Sequence, residues 1–134
     1  MKRIRQLLFS LYCLFIAWYT VFSRDPSTNH RAELSLLWSY RNLLAGEPTA
    51  RAEVIQNIQN VLFFIPFGFL LPTDSWKKAL LAGAGFSLCV ELIQYVGGFG
   101  LAETDDVLCN TLGTMIGFWL MVLVKWVLRD SDEN

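Results

Sequence analysis

The chain has 134 residues, 54% of them apolar and only 17% charged, with a mean hydropathy of +0.39; a soluble domain would carry about a quarter charged residues. Eleven Lys and Arg against twelve Asp and Glu leave a net charge of −1, and no basic stripe is interleaved with aromatics, which excludes the usual nucleic-acid-binding classes. The three cysteines, Cys13, Cys89 and Cys109, lie in or beside apolar runs without CxxC spacing; they read as small core hydrophobes rather than a disulfide framework.

Four apolar segments follow in chain order, at about residues 7–22, 54–71, 79–96 and 107–128. Each is close to the ~20 residues needed to cross a hydrocarbon core. The predicted fold class is all-α, a four-transmembrane-helix bundle with a long extracytoplasmic loop between the first and second spans. Lys2, Arg3 and Arg5 precede the first span as they would a secretory signal. No small-x-small cleavage pattern follows it, so it reads as a retained helix. Trp18 and Tyr19 near its far end fit an interfacial aromatic belt.

If the chain crosses four times, Lys2, Arg3, Arg5, Lys77, Lys78, Lys125 and Arg129 fall on one side. Arg24, Arg31, Arg41 and Arg51 fall on the other, spread through the loop 23–53. The positive-inside rule then places both termini of this multi-pass membrane protein in the cytoplasm. Within the outer loop, residues 33–44 (ELSLLWSYRNLL) repeat apolar residues at helical spacing and predict a short interfacial helix capping the bundle. In the second span Pro66 removes a backbone donor and predicts a kink. In the fourth, Gly113 and Gly117 form a GxxxG pair suited to close helix packing.

Glu91 is the most informative residue. An ionisable group inside a membrane span is costly and usually faces a bundle interior or a wet cavity. It lies about five residues before the end of the third span, roughly 8 Å deep at a 1.5 Å rise. Asn60 is about six residues into the second span, roughly 9 Å deep by the same rise, and Asn110 is one turn into the fourth. Helical spacing extends these points into strips: Gln56 and Asn60 with Asn57 beside them, Glu91 with Gln94, and Asp106 with Asn110. Such faces cannot point at lipid, so Asn57, Asn60, Glu91, Gln94, Asp105, Asp106 and Asn110 are the candidate ligand-binding residues. The bland alternative treats the amides as interhelical glue and Asp105 and Asp106 as caps of a helix N-terminus. Glu91, Asp105 and Asp106 are hard oxygen donors, but zinc spacings and nucleophile–base arrangements are absent, and His30 stands alone as a loop residue. Neither a metal nor a cofactor is expected.

Three motifs carry a family resemblance: NVLFFIPFGFLLP at 60–72, ELIQ at 91–94 and DDVLCNTLGTMIG at 105–117. In order and spacing they resemble the VanZ-like family, over nearly the whole chain. The resemblance implies a single four-helix membrane domain over residues 1–134. The name-giving member is associated with resistance to the glycopeptide antibiotic teicoplanin, which implies an envelope role. This chain departs from the pattern in two places. It has LSLLWSY where many relatives carry an NLIPF-like stretch, and its GGFGLAE before Asp105 lacks an arginine that could partner the acidic pair.

Three functions fit these residues. The first is non-catalytic binding of a membrane lipid or lipid-linked envelope precursor in the outer polar pocket. The second is an enzyme acting on a lipid-linked substrate, with Glu91 or Asp106 in acid–base work. The third is a small transporter working as a homodimer, which the lack of charge between Gln6 and Arg24 counts against. The binding reading leads, because no nucleophile accompanies the polar strip.

Overall fold

The computed structural model describes residues 2–22 and 30–132; Arg24 and the start of the outer loop lie outside them. Helix α1 (Lys2–Ala17) passes into a π-helical turn at Trp18–Phe22, where the Thr20 hydroxyl donates to the Ile16 carbonyl. Then come strand β1 (Arg31–Glu33), α2 (Trp38–Ala45), α3 (Ala50–Leu70), α4 (Trp76–Gly97), β2 (Leu101–Glu103) and α5 (Thr104–Asp132). The helices α3, α4 and α5 overlap the three later apolar segments and begin three or four residues earlier. Apolarity marks where a chain can meet lipid, whereas helical hydrogen bonding continues through the polar residues at the rim. Two helices among the described residues, α4 and α5, are long and apolar enough to cross a membrane. Helix α3 has 21 residues, but Glu53, Gln56, Asn57, Gln59 and Asn60 fill much of its first half. Helix α1 alone has 16.

The largest interhelical contact is between α3 and α5; α4 packs on α5, and α1 on α3. Glycines set the closeness of the central pair. A methyl added at Gly113 would overlap the Val61 carbonyl oxygen, one at Gly117 that of Ile65, and one at Gly68 that of Thr114. The GxxxG spacing therefore serves packing within this chain. Pro66 is carried inside α3 without ending it. Around this seam Ile16, Phe64, Phe67, Leu71, Ala79, Phe118 and Met121 form the apolar core.

One end of the bundle gathers the C-terminal ends of α1 and α4 with the N-terminal ends of α3 and α5. At the other end, Arg5 donates from Nε to the Leu70 carbonyl at 3.1 Å and from its guanidinium to the Leu71 carbonyl. It thereby closes the C-terminus of α3. Lys125 pairs with Asp74 at that same end.

The segment between α1 and α3, together with β2, corrects two sequence expectations. Its helix starts at Trp38 rather than residue 33, because Leu37 adopts a left-handed backbone with φ 55° that no continuing helix can contain. The all-α expectation also omits a small sheet. β1 and β2 pair in parallel, Ala32 opposite Ala102. Three residues are too few to display a strand's alternation.

Replacing Gly117 or Gly113 with alanine forces α3 and α5 apart against backbone atoms. Each is expected to cost ~1–3 kcal/mol as an overpacking change, read as a lowered thermal midpoint of the detergent-purified protein. Gly85→Ala, with nothing within 4 Å of the added methyl, is the matched control and should leave the midpoint in place.

Candidate functional site

The gathered end of the bundle holds a buried layer of polar side chains. Asn57 and Gln94 are each 1% exposed, Asp105 1%, Asp106 3%, Asn110 4% and Glu91 6%. By contrast Leu81 and Val96 on the outer surface of α4 are 72% and 73% exposed. A water-soluble fold distributes these side chains the other way round. Asn57 on α3, Glu91 and Gln94 on α4, and Asp105, Asp106 and Asn110 on α5 are thus buried at this end, whereas Asn60 is only partly buried.

Much of the layer is committed to holding the outer segment in place. Both Asp105 oxygens are engaged: Oδ1 accepts the Leu37 N–H, and Oδ2 accepts from the Ser39 N–H at 3.3 Å and the Ser39 hydroxyl at 3.1 Å. Asp105 is thus a cap, but of α2 rather than of its own helix. Glu91 Oε2 accepts the Glu103 N–H at 2.9 Å, which fixes β2 over the end of α4. The Trp38 indole donates to Glu103 at 3.1 Å. In β1, a hydrogen bond from Ser35, with Arg41 a lesser contributor, holds the Glu33 carboxyl below the usual carboxylate range. Burial pushes the Tyr40 phenol above its ordinary value.

The amides are less completely used. Asn110 donates to the Ser87 hydroxyl at 2.8 Å, Gln94 to the Thr20 carbonyl at 2.9 Å, and Gln56 to Asp106 at 3.4 Å. That leaves Asn110 Oδ1, Gln94 Oε1 and Asn60 Nδ2 buried without a hydrogen-bond partner. Tyr40 lies toward Asn57, but neither polar atom of Asn57 completes a bond of good geometry. A buried polar atom left unsatisfied costs about 1–3 kcal/mol, so several within one layer indicate a place completed by water or ligand.

Two cavities adjoin the layer on opposite sets of residues. The first, about 420 Å³, lies between α4 and α5 under the small sheet; Glu91 stands in its wall with Leu88, Leu92, Tyr95, Ala102 and Val107. The second, about 250 Å³, lies between the π-helical turn and α3, and Asn60 lines it with Gln56 and Gln59. Asn57, Gln94, Asp106 and Asn110 fill the interior between them. Sequence reasoning passed over Ser87, Glu103 and Ser39. Ser87 carried a usable signal, one turn before Glu91 on the same face of α4. Glu103 and Ser39 carried none, because their roles depend on how the outer segment folds back. Among the described residues no group of three or more His, Cys, Asp or Glu is placed to hold a metal ion.

Asp105→Ala removes the cap and leaves the Leu37 and Ser39 donors unpaired. Helix α2 is expected to detach more often, by about 1–3 kcal/mol, and tryptic cleavage at Arg41 should accelerate accordingly. Asp105→Asn, which keeps one acceptor oxygen, should fall between alanine and wild type.

No solved structure matches this chain. It is 30% identical over 118 residues to Protein VanZ of Enterococcus faecium, across 84% of this chain and 70% of that one. The VanZ/LLP1 family model matches residues 9–125, a stretch that contains α3, α4, both strands and all of the polar layer. With two helices apolar enough to cross a membrane and this match over most of its length, the chain belongs to the VanZ/LLP1 family.

Proposed function

We propose that this protein is a single four-span domain of the bacterial cell membrane that binds a membrane lipid, or the lipid part of an envelope precursor, without transforming it. Both termini lie in the cytoplasm, and the polar layer sits in the outer leaflet. Support for the orientation comes from the basic residues. Arg5 and Lys125 lie at the end of the bundle opposite the polar layer, in keeping with the positive-inside rule. For four spans, α1 with its π-helical turn and α3 supply the two crossings beyond α4 and α5.

The observation that carries the binding role is the α4–α5 cavity. Its walls are almost wholly apolar, its volume lies within the range of small-molecule sites, and Leu88 and Leu92 beside it are 52% and 54% exposed. In a bilayer those residues face the acyl region, so a chain could enter sideways beneath the small sheet and reach Glu91. The carboxylates favour binding over chemistry. Asp105 spends both oxygens on α2, and Glu91 holds β2, whereas proton transfer needs a group within reach of the substrate. An envelope role accords with the VanZ relative.

Native mass spectrometry of the detergent-purified protein tests this reading. Wild type should retain a lipid adduct. Leu88→Trp, which fills the cavity from a half-exposed position, should reduce its occupancy about tenfold, equivalent to ~1.4 kcal/mol. Glu91→Gln keeps an oxygen for the Glu103 N–H, so weaker retention with an unchanged thermal midpoint would mark the carboxylate as part of the site. Identical spectra from all three proteins would refute the proposal.

A further inference from the structure

The second cavity differs in chemistry from the first and shares no wall residue with it. Its polar wall consists of three neutral amides, Gln56, Gln59 and Asn60, one turn or less apart on α3. Facing them, Tyr19 and Thr20 come from the π-helical turn, a distortion often found at functional sites. Phe63 stacks on Tyr19 with centroids 4.9 Å apart and planes 30° apart, giving a flat apolar surface beside the amides. Two buried atoms near this cavity have unused hydrogen-bonding capacity. Asn60 Nδ2 has no partner, and neither has Gln94 Oε1, whose amide nitrogen already donates to the Thr20 carbonyl.

Charge narrows what could fill this space. Among the described residues no Lys or Arg lines it, and Asp106 accepts a hydrogen bond from Gln56 in its wall. Against the described wall a phosphate would lose its hydration with no cation to compensate and with the Asp106 carboxylate beside Gln56. An ammonium group would meet aromatic rings and neutral amides, but among the described residues no carboxylate in the wall itself to balance its charge. Each amide, however, offers both a donor and an acceptor, and a hydroxyl group needs both. A sugar ring adds an apolar C–H face that matches the Tyr19–Phe63 surface.

We propose that the cavity between the π-helical turn and α3 binds an uncharged, hydroxyl-rich group of the sugar-ring type. This rests on the membrane placement proposed above but not on the α4–α5 cavity. Gln59, exposed at the rim, makes the first contact, and Asn60 supplies the buried donor. A glycolipid headgroup and a free sugar present the same chemistry, and the experiment separates them.

Full-length protein in phosphatidylcholine nanodiscs would be titrated with monoglucosyl-diacylglycerol, phosphatidylglycerol or diacylglycerol, and bound lipid read by native mass spectrometry. Wild type should prefer the glucosyl lipid by about tenfold, the scale of one satisfied buried amide. Gln59→Ala, at an exposed position, should weaken that preference, and Gln59→Ala with Asn60→Leu should abolish it. Equal retention of the three lipids, a preference for phosphatidylglycerol, or a preference unchanged in the double variant would overturn the inference. Competition by free glucose at concentrations matching the glycolipid would support the sugar chemistry with a soluble source; its failure to compete would support a membrane source. Leu88→Trp keeps the two proposals apart. Loss of diacylglycerol binding in that variant with the glucosyl preference intact supports both. A glucosyl preference with Leu88→Trp silent for every lipid upholds this cavity and refutes the other.

Discussion

The backbone contact between α3 and α5 governs the rest of the molecule. Gly113 and Gly117 let α5 approach the carbonyls of Val61 and Ile65, and Gly68 lets α3 approach that of Thr114. Van der Waals packing is the main attraction between helices in lipid, and it requires such small residues. Once the two helices are fixed at this distance, the turns above the glycines bring Gln56 to Asp106 and bury Asn57 and Asn110. The same seam thus provides cohesion along the bundle and creates the polar layer at one end of it.

That layer is costly unless its groups are paired, because no water reaches the core of a bilayer. Much of the pairing comes from backbone N–H groups of the segment between α1 and α3 and of β2 rather than from charged side chains. Asp105 takes the start of α2 and Glu91 takes β2, so both carboxylates have a structural use. This segment forms the cover of the bundle: Ala32, Leu34 and Ala102 close the apolar cavity from above. The amides left incomplete lie inward of this cover, where a ligand or ordered water gains most by completing them. Positions committed to structure and positions still open to a ligand are therefore adjacent but distinct.

Much of this was legible in the sequence. The later helices and the close packing of the GxxxG pair follow from apolar runs and helical spacing, since rise and spacing are fixed once a helix is assumed. The motifs at 60–72, 91–94 and 105–117 also gave the family. What escaped depends on tertiary folding. The strands are three residues each and need one another to exist. The left-handed Leu37 is sustained by its bond to Asp105, 68 positions away. Asp105 looked like the cap of its own helix, because a sequence shows which helix an acid begins and not which one it touches. The separation into two cavities arises from side-chain packing and from the π-helical turn, neither of which a hydrophobic pattern encodes.

The central claim is that the outer end of this bundle selects a particular lipid from the membrane. Photo-crosslinking in native membranes tests it most directly, with a photoreactive residue at Leu88 in the cavity wall and, separately, at Leu120, on the exposed surface of α5 away from both cavities. Lipids captured from Leu88 should be enriched in one species relative to those captured from Leu120, which should mirror the bulk membrane. The same bulk mixture at both positions would mean that the cavity is merely a lipid-filled crevice, and would contradict the claim.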